Sequence, residues 1–133
     1  MSFPWHHPVD VRFRDLDALG HAHHTLPLVY VEEARAAFWR EVVGHRGLEG
    51  IDYVLAEVEV RFHEPIFFPQ RLDVALRVSR IGSKSFGMDF EVRGEDGRLF
   101  SRGRTVQVMY DYATRASKPV PQDVRAALEK YVG

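Results

Sequence analysis

The feature that most restricts the fold is a helical pattern that is apolar around nearly its whole circumference. Residues 26–43 place apolar side chains on one broad face at helical spacing, and further apolar side chains cover much of the opposite face. Thr25 is the expected N-cap, Pro27 lies in the first turn where its missing N–H does no harm, and Gly44 ends the helix. A helix of this kind is buried inside a protein and does not lie on its surface.

Alternating apolar residues predict five strands around this helix. A short strand at residues 9–14 precedes the helix, and four strands follow it at residues 54–62, 72–78, 86–92 and 106–110. Short connections, among them a hairpin turn at Asp96-Gly97, favour an antiparallel meander with one buried face. A short helix at residues 122–131 ends the chain.

This order predicts one α+β domain over residues 1–133. A curved antiparallel sheet would wrap around the long buried helix, and the short C-terminal helix would pack beside it. One small sheet cannot cover a helix that is apolar on every side. We therefore expect a second subunit, in a homodimer or a homotetramer.

Composition narrows the class of protein. The 133 residues are 45% hydrophobic and 28% charged, which is typical of a soluble globular domain. A formal net charge of −1 without a basic block argues against a nucleic-acid partner. Because there is no cysteine, disulfides, thiolate catalysis and cysteine-type zinc sites are excluded. No apolar run approaches membrane-spanning length and the N-terminus lacks a signal-peptide pattern, so we expect a cytoplasmic protein.

A polar loop joins the first strand to the helix. Between Asp15 and His24 the chain holds two acids, three histidines and one glycine. Loops at such junctions carry chemistry on a rigid scaffold, and the free N–H groups of the first helical turn attract negative charge. Asp17 either caps these N–H groups or takes part in a reaction, and Gly20 allows close backbone approach or a positive φ. Asp15 is expected to form hydrogen bonds within the loop.

The histidines of this loop allow three interpretations. They are partly exposed polar residues, or His24 transfers a proton or orients a substrate, or the loop binds a metal ion. Asp17 and His21 are four residues apart and suit zinc or a related divalent ion. Two ligands are too few, and the following loop offers His45, Glu49 and Asp52.

Several short motifs occur in a specific order. The chain has Phe13, then Asp15-x-Asp17-x-x-Gly20, and later Glu32-Glu33-Ala34-Arg35 in the helix. Three further motifs follow: VRFHEP at 60–65, RIGSKSF at 80–86 and GRTV at 103–106. In this order and spacing, the chain resembles the hotdog-fold acyl-CoA thioesterases of the 4-hydroxybenzoyl-CoA thioesterase-like family, over nearly its whole length.

The resemblance implies a hotdog fold and hydrolysis of an acyl-CoA thioester to the free acid and CoA, with no required cofactor. In the family the second Asp of the motif is the essential carboxylate, which implies this role for Asp17. A backbone N–H seven residues later polarises the thioester carbonyl, which is the position of His24. The carboxylate acts as nucleophile or as general base, and both alternatives stay open.

The resemblance also implies where the substrate binds. The segment at 80–86 often lies near the CoA phosphates in the family, although charges in a solvated hairpin turn are an alternative explanation. The candidate CoA-binding residues are Arg80, Ser83, Lys84 and Ser85. We expect the acyl group in an apolar slot along the helix, lined by residues such as Tyr30, Phe62 and Phe86.

Two other functions compete with thioester hydrolysis. The first is a hotdog hydratase or dehydratase, which needs a histidine and an acidic residue in a different sequence context. The second is a hotdog protein that binds acyl-CoA or metal without catalysis. Turnover measured across acyl-CoA chain lengths distinguishes the three.

Overall fold

The computed structural model describes residues 3–44 and 51–133. Most of the loop expected at 45–51, with His45 and Glu49, lies outside the described residues. The elements in chain order are β1 (Trp5–Asp10), α1 (Leu26–Phe38), β2 (Tyr53–Phe62), β3 (Arg71–Ile81), β4 (Ser85–Gly94), β5 (Leu99–Asp111), β6 (Ala116–Ser117) and α2 (Gln122–Glu129).

The sheet is antiparallel, with the strand order β1-β3-β4-β5-β2 and the short β6 beside β5. Strands β3, β4 and β5 form the predicted meander. The expectation that β2 belongs to this meander is wrong, because β2 pairs with β5 and not with β3. Since α1 lies between β1 and β2 in the chain and packs across the sheet, it carries the chain from one edge to the other.

Helix α1 packs on the concave face of the sheet and its buried side chains form the core. Phe38 and Trp39 are fully buried, and the ring of Trp39 stacks on Phe86 with the centroids 5.6 Å apart. One side of the helix remains open, since Val29 is 50% exposed and Glu33 is exposed. The curved sheet around one long helix is the hotdog fold, as expected.

The helix continues past Phe38 as a π-helical turn at Trp39–Val43 and stops at Gly44, which has a φ of +85°. This confirms the predicted end of the helix, since the left-handed conformation favours glycine. The C-terminal helix is shorter than predicted and ends at Glu129. No helix among residues 3–44 and 51–133 is long and apolar enough to cross a membrane.

The first strand departs from the predicted bounds of 9–14, because it begins at Trp5 and ends at Asp10. The backbone N–H of Arg12 donates to Oδ2 of Asp15 at 2.9 Å, and a 3-10 turn forms at Phe13–Asp15. This local hydrogen bond competes with strand pairing. As a result Phe13 is 74% exposed and does not point into the core.

Candidate active site

The loop that holds Asp17 is closed by its own backbone. The N–H of Asp17 donates to the carbonyl of His21 at 3.0 Å, and the N–H of Gly20 donates to the carbonyl of Asp17 at 3.1 Å. Gly20 has a φ of +87°, which glycine adopts at little cost. Oδ1 of Asp17 accepts a hydrogen bond from the N–H of Leu19 at 2.8 Å, so this carboxylate does not cap α1.

Asp15 has the structural role that we expected. Its Oδ2 accepts hydrogen bonds from the N–H of Arg12 at 2.9 Å and from the hydroxyl of Tyr30 at 2.7 Å. Burial, together with the hydrogen bond to Asp15, raises the pKa of the Tyr30 phenol above its ordinary range. The phenol therefore stays neutral and donates to Asp15, which joins the loop to α1.

The backbone before α1 presents a free donor. The N–H of His23 donates to the carbonyl of Asp15 at 3.0 Å, and the N–H of Thr25 donates to Nδ1 of His23 at 3.3 Å. Between them, the N–H of His24 has no acceptor among the residues that the structure describes. An unpaired amide at a helix start is suited to bind an oxygen that carries negative charge.

Asp17 and His24 lie on the wall of one cleft of about 330 Å³. This volume is within the ordinary range for small-molecule sites, about 300–1,000 Å³. Most of the remaining wall is apolar. The other lining residues are Leu19, His21, Ala22, Pro27, Phe62, His63, Glu64, Pro65, Ile66 and Phe100.

The structure thus brings together Asp17, His21 and His24 with Gly20 in the loop between them. It adds two polar residues that the sequence analysis named only as part of the VRFHEP motif and not as site residues, His63 and Glu64. Both follow the end of β2, and both backbone N–H groups donate to the carbonyl of Phe100. In the sequence they directly follow a predicted strand and precede Pro65, which indicates a loop. This position does not predict that the loop lies beside Asp17.

The described residues around Asp17 and His21 do not form a complete metal site, and His45 and Glu49 lie outside the described residues. Oδ1 of Asp17 is bonded to the N–H of Leu19, and the His21 ring stands edge-on to Phe67 with the centroids 5.9 Å apart. Within the described part of the chain, no group of three or more His, Cys, Asp or Glu side chains is placed to hold a metal. Oδ2 of Asp52, a further ligand considered above, accepts from Nζ of Lys118 at 2.8 Å.

Two residues expected in the acyl slot lie elsewhere. Tyr30 is 3% exposed and Phe86 is fully buried, so both belong to the core and not to the wall of the cleft. Phe62, by contrast, lines the cleft and is 53% exposed. Tyr30 reaches the site indirectly, through its hydrogen bond to Asp15.

The residues proposed to bind CoA lie in and beside the β3–β4 hairpin and do not line this cleft. Arg80, Ser83 and Lys84 are exposed, and Nη1 of Arg80 donates to Oγ of Ser85 at 3.4 Å. Arg80 shares a separate cleft with Arg104. Contact of these residues with CoA stays a prediction.

Comparison with known proteins agrees with the fold and identifies the family. The sequence model of one protein family, the thioesterase-like superfamily, matches residues 11–128 of this chain. No curated protein matches the chain. Among solved structures, a thioesterase from Thermus thermophilus complexed with coenzyme A and Zn is 31% identical. Its alignment covers 96% of this chain and 98% of that chain, with a TM-score of 0.86.

Two more distant structures support the fold alone. A predicted thioesterase from Bacillus stearothermophilus has a TM-score of 0.89 at 23% identity, over 97% of this chain and 96% of that chain. A 1,4-dihydroxy-2-naphthoyl-CoA thioesterase from Synechocystis has a TM-score of 0.81 at 24% identity, over 92% and 93% of the two chains.

Proposed function

The chain belongs to the thioesterase-like superfamily, and from that premise we propose that it hydrolyses an acyl-CoA thioester to the free acid and CoA. Membership supports thioester hydrolysis in general. The choice of CoA as the thiol rests on the Thermus thermophilus thioesterase, which was solved with coenzyme A.

The observation that carries the proposal is the position of Asp17 and His24 on one largely apolar cleft. A thioester that binds in this cleft lies beside the residue that carries the carboxylate, Asp17, and the residue that carries the unpaired backbone N–H, His24. A backbone donor aimed at the developing oxyanion contributes about 3 kcal/mol to transition-state stabilisation. Because this amide is held by the fold, it needs no rearrangement during the reaction.

The carboxylate of Asp17 can promote hydrolysis of the thioester in two ways. As a nucleophile, its oxygen bonds to the carbonyl carbon, the C–S bond breaks, and the CoA thiolate leaves and takes a proton from water. Water then hydrolyses the anhydride to the free acid and restores Asp17. As a general base, Asp17 takes a proton from the attacking water and returns it to the leaving thiolate.

We also propose that the protein is a homodimer or a larger homo-oligomer. Strand β2 is an edge of the sheet, and three large apolar side chains on its concave face are exposed: Leu55 (45%), Val58 (40%) and Phe62 (53%). Val29, on the open side of α1, is half exposed as well. Since an uncovered apolar edge strand tends to pair with another chain, a second copy is the expected cover.

The proposal is tested by changing Asp17→Asn, which keeps the shape of the side chain and removes its charge. We expect kcat to fall by at least about a hundredfold, or about 2.7 kcal/mol, in an assay of free CoA thiol across a panel of acyl-CoA chain lengths. Asp10→Asn is the matched control, because Asp10 is exposed and contacts only Arg71 among the described ion pairs.

Two results would contradict the proposal. If Asp17→Asn keeps more than a tenth of the wild-type kcat, Asp17 has no part in the chemistry. If the wild-type protein binds CoA but hydrolyses none of the panel, the protein is a binding protein and not an enzyme.

A further inference from the structure

A further cleft lies on the convex face of the sheet, which is the face turned away from α1. The core residues of strands β2 to β5 face α1, and the residues that alternate with them face outwards. Charged side chains from four strands therefore meet on the convex face, where they line a cleft of about 570 Å³. We call it the convex cleft. Its charged residues are Glu59, Arg61, Arg77, Asp89, Glu91, Arg102 and Arg104.

Two of the four arginines in the convex cleft are paired with a carboxylate. Nε of Arg77 lies 2.9 Å from Oδ2 of Asp89, and its guanidinium lies 4.5 Å from the centre of the Phe3 ring. Nε of Arg104 lies 3.5 Å from Oε2 of Glu59. Because the protein itself supplies an acidic partner to each of these arginines, neither of them needs a ligand.

The other two arginines, Arg61 and Arg102, have no such partner. Within residues 3–44 and 51–133, neither guanidinium takes part in an ion pair or a hydrogen bond. The remaining carboxylate of the convex cleft, Glu91, lies opposite Arg102 on β4. Both oxygens of Glu91 accept hydrogen bonds from Arg93, at 2.9 and 3.3 Å. Each acidic residue of the cleft is therefore engaged by another arginine.

Arg61 and Arg102 are directly opposite each other in the antiparallel pairing of β2 with β5. The Cβ atoms of such a pair are about 4.5–5.5 Å apart, and like charges there are unfavourable. A phosphate group between the two side chains would replace this repulsion with charge-assisted hydrogen bonds to both. The planar guanidinium group suits this contact, because its N–H groups match the spacing of phosphate oxygens.

We propose that Arg61 and Arg102 bind a phosphate group in the convex cleft. The phosphate belongs either to CoA or to a separate small molecule. The convex cleft shares no residue with the cleft that holds Asp17, so the inference does not depend on the proposed function. Pairing of β2 with a second copy would use the backbone of that edge, and the side chains on the convex face would stay open.

The first test measures Tm with inorganic phosphate as the probe and with chloride at the same low ionic strength as the reference, because salt screens exposed charges. A ligand that binds only the folded protein raises Tm. We expect phosphate to raise the Tm of the wild type, and Arg61→Gln and Arg102→Gln each to remove this rise. By calorimetry, each change should weaken phosphate binding by at least about tenfold.

Arg104→Gln is the matched control. Arg104 lies in the same cleft and on the same strand as Arg102, and the change removes the same charge, but Arg104 is paired with Glu59. The control should therefore retain the rise in Tm. An equal loss of phosphate binding in Arg102→Gln and Arg104→Gln would show a general attraction to positive charge, and it would overturn the inference. Absence of phosphate binding to the wild type would overturn it as well.

A second measurement needs no ligand. In phosphate-free buffer at low ionic strength, Arg61→Gln and Arg102→Gln should each raise Tm, because each removes one of two like charges that face each other. The gain should shrink at high salt. Arg104→Gln loses its pairing with Glu59 and should show no gain. A lower Tm in both Arg61→Gln and Arg102→Gln would mean that these arginines stabilise the protein through contacts within it, which contradicts an unfilled site.

Binding of CoA and of dephospho-CoA, which lacks the ribose phosphate, identifies the source of the phosphate. If the wild type prefers CoA and Arg102→Gln removes the preference, the site holds the ribose phosphate of CoA. If Arg102→Gln binds CoA normally but has lost inorganic phosphate, the site serves a separate ligand. Both results support the site. None of these measurements requires hydrolysis, so a failure of the proposed function would be seen separately.

Discussion

The hydroxyl of Tyr30 donates a hydrogen bond of 2.7 Å to Oδ2 of Asp15, and this bond joins α1 to the loop that holds Asp17. Tyr30 is 3% exposed and Asp15 is 9% exposed, so water does not compete for the bond. The same oxygen accepts the N–H of Arg12. Two donors on one carboxylate oxygen thus hold both the start of the loop and the helix behind it.

Tyr30→Phe should destabilise the protein, because it leaves a buried carboxylate oxygen with one donor fewer. We expect the free energy of unfolding to fall by about 1–3 kcal/mol, measured by urea denaturation at pH 7. Tyr112→Phe is the matched control. It also loses a hydroxyl hydrogen bond, to the carbonyl of Tyr53, but Tyr112 is 58% exposed, so its loss should be smaller.

Tyr30→Phe should also change how the free energy of unfolding depends on pH in alkaline solution. Burial, and for Tyr30 the hydrogen bond to Asp15, raises the pKa of both Tyr30 and Tyr53 in the folded protein. The neutral phenols therefore contribute their full stability below the unfolded tyrosine pKa of about 10, and this contribution is lost as pH rises above it. Between about pH 9 and 11, Tyr30→Phe should lose less stability than the wild type. Parallel curves would show that Tyr30 does not contribute.

Gly20 and Gly97 form a matched pair for testing the loop. Their φ angles are +87° and +88°, and a Cβ added at either position meets nothing within 4 Å. Ala at each site should therefore cost a similar stability, about 1 kcal/mol, from backbone strain alone. Only Gly20→Ala should also lower kcat, since Gly97 lies in the β4–β5 turn. Equal kcat in both variants would show that the Asp17 loop tolerates the change.

Neutralising Arg80 and Lys84 together, as Arg80→Gln with Lys84→Gln, should raise KM for acyl-CoA more than it lowers kcat. Phosphate contacts far from the carbonyl bind ground state and transition state alike, and salt screens them. The matched control neutralises Arg71 and Arg93, which lie at the opposite end of the β3–β4 hairpin. Unchanged KM at low salt would place the CoA phosphates elsewhere.

Val58→Lys should dissociate the proposed dimer. Val58 is 40% exposed on the edge strand β2, and a charge there opposes pairing with a second copy. Sedimentation at micromolar concentration should give a dimer or tetramer for the wild type and a smaller species for the variant. Val132→Lys, a change of similar exposure near the C-terminus, should keep the wild-type state. A monomeric wild type would contradict the oligomer.

Much of the fold was predictable because its signals are local. Alternation placed β2 to β5 within a few residues at most of their ends, and Gly44 ended the helix where its positive φ requires glycine. Two strands had ends that were missed: β5 begins at Leu99 and not at 106, and the first strand stops at Asp10 and not at 14. The hydrogen bond between Arg12 and Asp15 closes a 3-10 turn inside the predicted first strand, and the alternation of apolar residues does not predict this turn.

By itself the sequence determined a curved sheet around a buried helix and the loop that holds Asp17 and Gly20, because these follow from periodicity and from spacing between near neighbours. The hotdog fold and the family followed from the resemblance of its motifs to those of known thioesterases. Only the tertiary structure decided that β2 pairs with β5, that His63 and Glu64 join the cleft, and that Arg61 lies opposite Arg102. These outcomes depend on contacts between residues far apart in the chain. Those contacts depend on the path of α1 across the sheet, and no short stretch of the sequence predicts that path.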